Sequence, residues 1–167
     1  MMTGLRQDMN RTFTAVGWSR FADITEPGSH LLTMEFMSTL HVKTVGKETK
    51  IHFRFFNEFF EMLPRDFSNT LGFSKKCLLE ANALTDDHEY DRRAWWNETS
   101  DEQVRSKNSI VSIHNPTLRV LAKYLAMVVF SRANLRLCSS SKLMCLYAMA
   151  KKIRYSPVMG MVSHGRK

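Results

Sequence analysis

The chain has 167 residues, 44% of them apolar and 24% charged, which suits one globular domain with a sizeable core and excludes a disordered polymer. Within the apolar stretch 114–132 the longest run without a charge is eight residues, at 124–131, far short of the roughly 20 that a membrane-spanning helix needs. Arg6, Asp8 and Arg11 stand where a signal peptide would be apolar, so the chain is expected to be unprocessed and intracellular, in nucleus or cytoplasm.

Three cysteines, Cys77, Cys138 and Cys145, form no disulfide framework and agree with a reducing compartment. The formal charge is +8, and its distribution says more than its sum. Residues 1–80 hold ten Lys or Arg against nine acids, and residues 81–102 hold two against seven. Residues 103–167 hold twelve Lys or Arg and no acid. An acid-free third attracts phosphate, acidic protein or an anionic surface. The competing reading, of equal weight, is that these cations pair with the acidic segment just before them. Eleven Phe and eleven Met fit either a large core or a surface awaiting a partner.

In chain order, residues 1–17 are weakly patterned and are expected to be weakly ordered. Pro27, Gly28 and Ser29 signal a turn, after which Leu32, Phe36 and Leu40 recur at four-residue steps and predict a short helix. A β-hairpin follows over 41–55, turning at Gly46 and Lys47. Its second arm alternates strictly, with Ile51, Phe53 and Phe55 on one face and Lys50, His52 and Arg54 on the other. Gly46 supplies the positive φ of a tight turn. Pro64 and Gly72 bracket a further short helix whose Phe67 would face the hairpin. Residues 80–94 are polar and aperiodic, and predict a surface loop. Ser100 and Gln103 have capping-box spacing, predicting a helix at 101–107.

The stretch HNPTLRVLAKYLAMVVFSR, residues 114–132, begins with a good cap in Asn115 and a good first helical residue in Pro116. Leu118, Leu121, Leu125, Val128 and Val129 form an apolar stripe, with Arg119 and Lys123 opposite. Beyond Lys123 the helix is apolar all round and is expected to be buried. A second helix is expected at roughly 141–154 with a serine cap among 139–141, and Lys151, Lys152 and Arg154 in its last turn. Residues 158–167 are expected to be a frayed tail. No internal repeats and no low-complexity tracts are read. The reading is an α+β fold, mostly helical, with one β-hairpin packed on a short helix and two C-terminal core helices, in a single domain over 18–157.

Catalytic signatures are missing from the pattern. The histidines stand apart from any nucleophile motif, the seven glycines form no phosphate loop, and the cysteines lack zinc spacing. The acidic run DDHEYD, 86–91, lacks the ligand alternation of a calcium loop. Neither a metal nor another cofactor is expected. Trp95 and Trp96 beside Arg92 and Arg93 suit base stacking or, more simply, an anchor to the core. Adjacent tryptophans on regular structure are not both expected to point inward. The last two helices read as a plain helical pair rather than a helix-turn-helix, because their connection is too long.

Several segments occur together in a familiar order: SRFADIT, EFMSTLHV, IHFRFFN followed by LPRDFSNTLGFS, AWWNETS, NPTLRVLAKYLAMVVFSR, and SSSKLMCLYAMAKKIRYSP. This order resembles the first open-reading-frame protein of plant Athila-type retrotransposons, also described as a putative plant transposon protein, over residues 18–157. The resemblance implies a Gag-like, nucleic-acid-associated role and supplies no catalytic residues. Protease, polymerase and integrase motifs are absent, and the chain stops soon after 141–154, where such proteins run on, so a truncated or domesticated copy is one expectation and a copy without function belongs to the alternative reading. The expectation is a non-enzyme binding RNA or DNA without sequence preference through Arg119, Lys123, Arg132, Arg136, Lys142, Lys151, Lys152 and Arg154. The alternative is a protein-interaction or self-assembly module. No membrane and no small-molecule substrate are expected as partners.

Overall fold

In a computed structural model, residues 2–105, 108–130 and 136–165 are described. The fold is mixed α+β and 56% helical, as the composition and periodicity predict. Nine α-helices occur among the described residues: α1 (Met2–Val16), α2 (Ser19–Ala22), α3 (His30–Thr39), α4 (Pro64–Thr70), α5 (Ala81–His88), α6 (Arg92–Thr99), α7 (Pro116–Tyr124), α8 (Ser140–Lys151) and α9 (Val158–Gly165). Strands β1 (His41–Val45), β2 (Glu48–Phe55) and β3 (Glu58–Met62) form an antiparallel sheet in that order, and β4 (Asn108–Ser109) pairs with β5 (Leu137–Cys138). No described helix is long and apolar enough to cross a membrane.

The hairpin forms in the expected register, with Val42 opposite Ile51 and Val45 opposite Glu48, and Gly46 turns it at φ 64°. Alternation holds: Ile51 and Phe53 are buried, and the Lys50 ammonium lies 3.3 Å from Glu48 and 3.1 Å from Glu61 on the other face. The Phe36 ring of α3 meets Phe53, Phe55 and Phe67 at centroid distances of 5.2, 5.3 and 6.2 Å. This aromatic cluster clamps α3 and α4 to one sheet face. A third strand, β3, extends the sheet beyond the expected hairpin, with Phe53 opposite Phe60. Its turn places Phe56 and Asn57 at φ 52° and 63°. The Glu35 carboxylate accepts from both their amides, at 2.9 and 2.8 Å, and from Arg54 Nε at 3.0 Å.

The rest of the core centres on α8, whose Leu143, Cys145, Leu146, Ala148 and Met149 are buried. Ser139 caps α8 by accepting from Lys142 N, and Asn115 caps α7 by accepting from Thr117 N and Leu118 N. Past Tyr124 the chain widens into a π-helical turn, Leu125–Val129, and Phe130 N donates to Leu125 O at 2.8 Å. The wider turn shifts the phase of the apolar stripe. Leu121, Leu125 and Val129 are buried as expected, but Met127 and Val128 are 67% and 49% exposed. All three cysteines are buried and free.

Five expectations need correction. Where weak order is expected over residues 1–17, α1 fills 2–16, because Met9, Phe13 and Val16 recur at helical steps and Phe13 and Val16 are buried; residue 1 lies outside the described residues. Residues 80–94 are not a loop but α5 and the start of α6, with Asp91 capping the latter by accepting from Ala94 N at 2.7 Å. Residues 101–105 form no helix, since Ser100 ends α6 and bridges to Ile113 instead; 106–107 lie outside the described residues. The tail is not frayed from 158, because α9 buries Val158 and Val162, one turn apart. Trp95 and Trp96 are both buried, at 4% and 1% exposure. Neighbours on a helix point about 100° apart, so a helix packed on two sides can bury both.

Candidate nucleic-acid interface

Of the eight basic residues singled out from the sequence seven are described, and they stand in different surroundings. Arg119 and Lys123 lie one turn apart on α7, the first half-buried and the second exposed. Arg136 is exposed just before β5, and Arg132 lies outside the described residues. The Lys151 ammonium sits 3.5 Å from a Glu98 oxygen and 5.6 Å from the centroid of the Trp95 ring, so pairing with the acidic segment is realised there. Lys152 ends α8 in the left-handed region at φ 57° and lines a shallow depression with Asp8 and Arg11. Lys142 is a correction: it is 0% exposed, and its ammonium donates to Leu137 O at 2.8 Å. Burial lowers its pKa from the ordinary lysine value, and it faces no ligand arriving from solvent.

Arg154 is different. It lines an open groove of about 390 Å³ together with Arg20, Lys75 and Lys76. All four are exposed, none forms an ion pair with a described carboxylate, and no Asp or Glu lines the groove. Ser19 and Ser74 are also among the lining residues, and Ser19 Oγ lies 3.2 Å from Thr14 Oγ1. Ser74 Oγ accepts from Lys76 N at 3.3 Å, which leaves its own proton free to donate.

The groove is held by backbone contacts between distant segments. Gly17 and Gly72 adopt φ 80° and 101°. A Cβ on Gly72 would lie 2.7 Å from Phe21 N, and one on Gly17 would lie 2.8 Å from Ser74 Cβ. Only glycine allows that approach. Ser74 N donates to Gly17 O at 2.8 Å, joining the two turns. Trp18 and Phe73, the residues after the two glycines, are buried and meet edge to face at 5.3 Å. Leu78 N donates to Arg154 O at 2.9 Å, and Trp18 Nε1 donates to Tyr155 O at 2.6 Å. Arg154 is thereby fixed beside both turns.

Sequence reading found Arg154 and missed Arg20, Lys75 and Lys76. The signal was present as a four-residue pattern that occurs twice: Gly17, Trp18, Ser19, Arg20 and Gly72, Phe73, Ser74, Lys75. It is too short to register as a repeat, and its meaning depends on the two copies meeting.

His41 and His52 stack at 4.9 Å on the solvent face of the sheet, and His114 Nε2 pairs with Asp101 at 2.7 Å. Among the described residues no group of three or more His, Cys, Asp or Glu is placed to hold a metal ion. Burial pushes the Cys138 thiol up to about 12 and raises Cys145 and Cys77 as well, the opposite of an activated nucleophile. Compared with known protein families, curated proteins and solved structures, the chain matches none.

Proposed function

We propose that this protein is a non-enzymatic, retrotransposon-derived, Gag-like protein that binds nucleic acid through its phosphates, without sequence preference. The observation that carries the reading is the groove at Arg20, Lys75, Lys76 and Arg154, where four cations gather without an acidic neighbour in the lining. The acid-free stretch 103–167 adds a field of the same sign. The order of the segments quoted above supports the retroelement origin. Contacts of this kind read charge and spacing, not base edges. Affinity for single-stranded nucleic acid should fall steeply with salt, with a log–log slope of about −3 if four phosphates are neutralised. Anisotropy titrations of a labelled oligonucleotide across salt concentrations test this, and an affinity indifferent to salt would sink it.

A second reading, a self-assembly module, is favoured by one feature. Leu31, Phe56 and Phe59 are 81%, 75% and 83% exposed, which is unusual for side chains of this size. Light scattering over a concentration series separates the two, since assembly without nucleic acid supports the module.

A further inference from the structure

We propose that the two Gly-aromatic-Ser-basic turns, 17–20 and 72–75, together with Lys76 and Arg154, form a preorganised seat for one or two adjacent phosphate groups of a nucleic-acid backbone. The inference rests on the nucleic-acid reading above and assigns it a place. Each turn uses its residues alike. The glycine takes a positive φ, the aromatic ring is buried as an anchor, and the serine and the basic residue line the groove. The turns are locked together by the Ser74 N to Gly17 O hydrogen bond and by the edge-to-face contact of Trp18 with Phe73. Arg154 enters from a third segment through the bonds at Leu78 and Trp18.

A cluster of exposed lysines and arginines usually lies on mobile side chains around a featureless surface. Here the backbone beneath the cations is over-determined, so an arriving anion orders the exposed side chains but not the segments that carry them. Like charges held together with no acid between them repel, and a bound phosphate removes that repulsion. Guanidinium groups suit two phosphate oxygens at once, while the lysines act as point charges. The groove is open, which fits an extended backbone passing through it and does not fit an enclosed small molecule.

The test compares two variants that lose the same charge. One carries Arg20→Gln, Lys75→Gln, Lys76→Gln and Arg154→Gln; the other carries Arg6→Gln, Arg11→Gln, Lys43→Gln and Lys47→Gln, exposed residues that do not line the groove. With a fluorescein-labelled oligothymidylate at low salt, the groove variant should bind at least about tenfold more weakly than the control variant. Equal losses would mean a diffuse field and would overturn the seat while leaving the nucleic-acid reading intact. If the quadruple groove variant does not fold, Lys75→Gln alone carries the comparison against Lys43→Gln. Independently, pyrophosphate added to the ¹⁵N-labelled wild-type chain should shift the amides of Gly17, Ser19, Ser74 and Lys75 ahead of all others. A flat response there overturns the seat whatever the oligonucleotide does. Pyrophosphate shifts at these amides without oligonucleotide binding would uphold the phosphate seat and reject the nucleic-acid function.

Discussion

The indole of Trp18 donates its N–H to the carbonyl oxygen of Tyr155 at 2.6 Å, across 137 residues of chain and inside the core. That bond ties the first turn of the groove to the segment that carries Arg154. The same segment is held from its other side by Ser156, whose hydroxyl pairs with Ser68 at 2.7 Å and whose N–H donates to Leu78 O.

Trp18→Phe should therefore act on stability and on binding. It leaves a buried carbonyl without its donor, which costs about 1–3 kcal/mol, and it loosens the placement of Arg154. The urea midpoint should fall with little change in the slope of the transition, and oligonucleotide affinity should fall with it. A midpoint equal to wild type would show that Tyr155 finds another donor.

Gly72→Ala should be one of the most damaging single-methyl additions in the chain. The added Cβ meets Phe21 N at 2.7 Å and the Arg20 carbonyl carbon at 3.0 Å, both backbone, at a φ of 101°. The conformational strain alone is about 1–3 kcal/mol, and the clash adds to it. Gly46→Ala shares a positive φ of 64° but has nothing within 4 Å of the new methyl, so it should cost only about 1 kcal/mol. Thermal melts of the two variants check the ranking.

Glu35→Gln should weaken the β2–β3 hairpin and flatten its pH dependence. The Asn57 amide, with Arg54 and the Phe56 amide, holds the Glu35 carboxyl below its ordinary pKa against an opposing desolvation. A folded-state pKa below the unfolded one gives stability that is present above the unfolded value and is lost as pH falls through the folded value. The wild-type urea midpoint should approach that of the variant as acid is added, and a constant gap between them would count against this role.

Lys142→Met tests the reassignment of a residue that looked like a phosphate contact. Met removes the cost of burying a charge but leaves Leu137 O without the ammonium that donates to it, a loss of about 1–3 kcal/mol, and oligonucleotide affinity should be unchanged. Burial lowers the Lys142 pKa, so the folded chain sheds this proton first as pH rises. Stability contributed at this site climbs between the lowered folded value and the ordinary lysine value. The variant should lack that climb in alkaline urea titrations.

Native thiols should react slowly with Ellman's reagent near neutral pH. Cys138 is buried with its pKa raised to about 12, and Cys77 and Cys145 are raised by burial too, so thiolate is scarce. All three should react at once in denaturant. A fast native equivalent would reveal an opening of the core.

The elements that were legible are those whose signals are local. Asn115 and Pro116 start α7, Pro64 starts α4, Ser139 caps α8, and the alternation at 51–55 marks β2. Where the reading failed, the deciding interaction came from elsewhere in the chain. α1 is mostly polar, and its Phe13 makes sense only against Trp18 and Tyr124. β3 follows a turn with no glycine in it, made tolerable by a carboxylate on α3. Ser100 has the spacing of a capping box, yet its backbone is taken up by α6 and Ile113. The groove was half visible, because Arg154 belongs to a conspicuous basic run while Arg20, Lys75 and Lys76 sit in charge-balanced surroundings.

The groove draws its cations from positions 20, 75, 76 and 154, so it has no counterpart in the unfolded chain. An anion that seats there binds only the native state and stabilises it by mass action, by about 2.7 kcal/mol at a hundredfold excess over its dissociation constant. The empty protein, in contrast, holds four like charges together with no internal counterion. If the groove seats an anion as proposed, its own contribution to the folding equilibrium is least favourable in dilute buffer and improves as phosphate or polyanion is added.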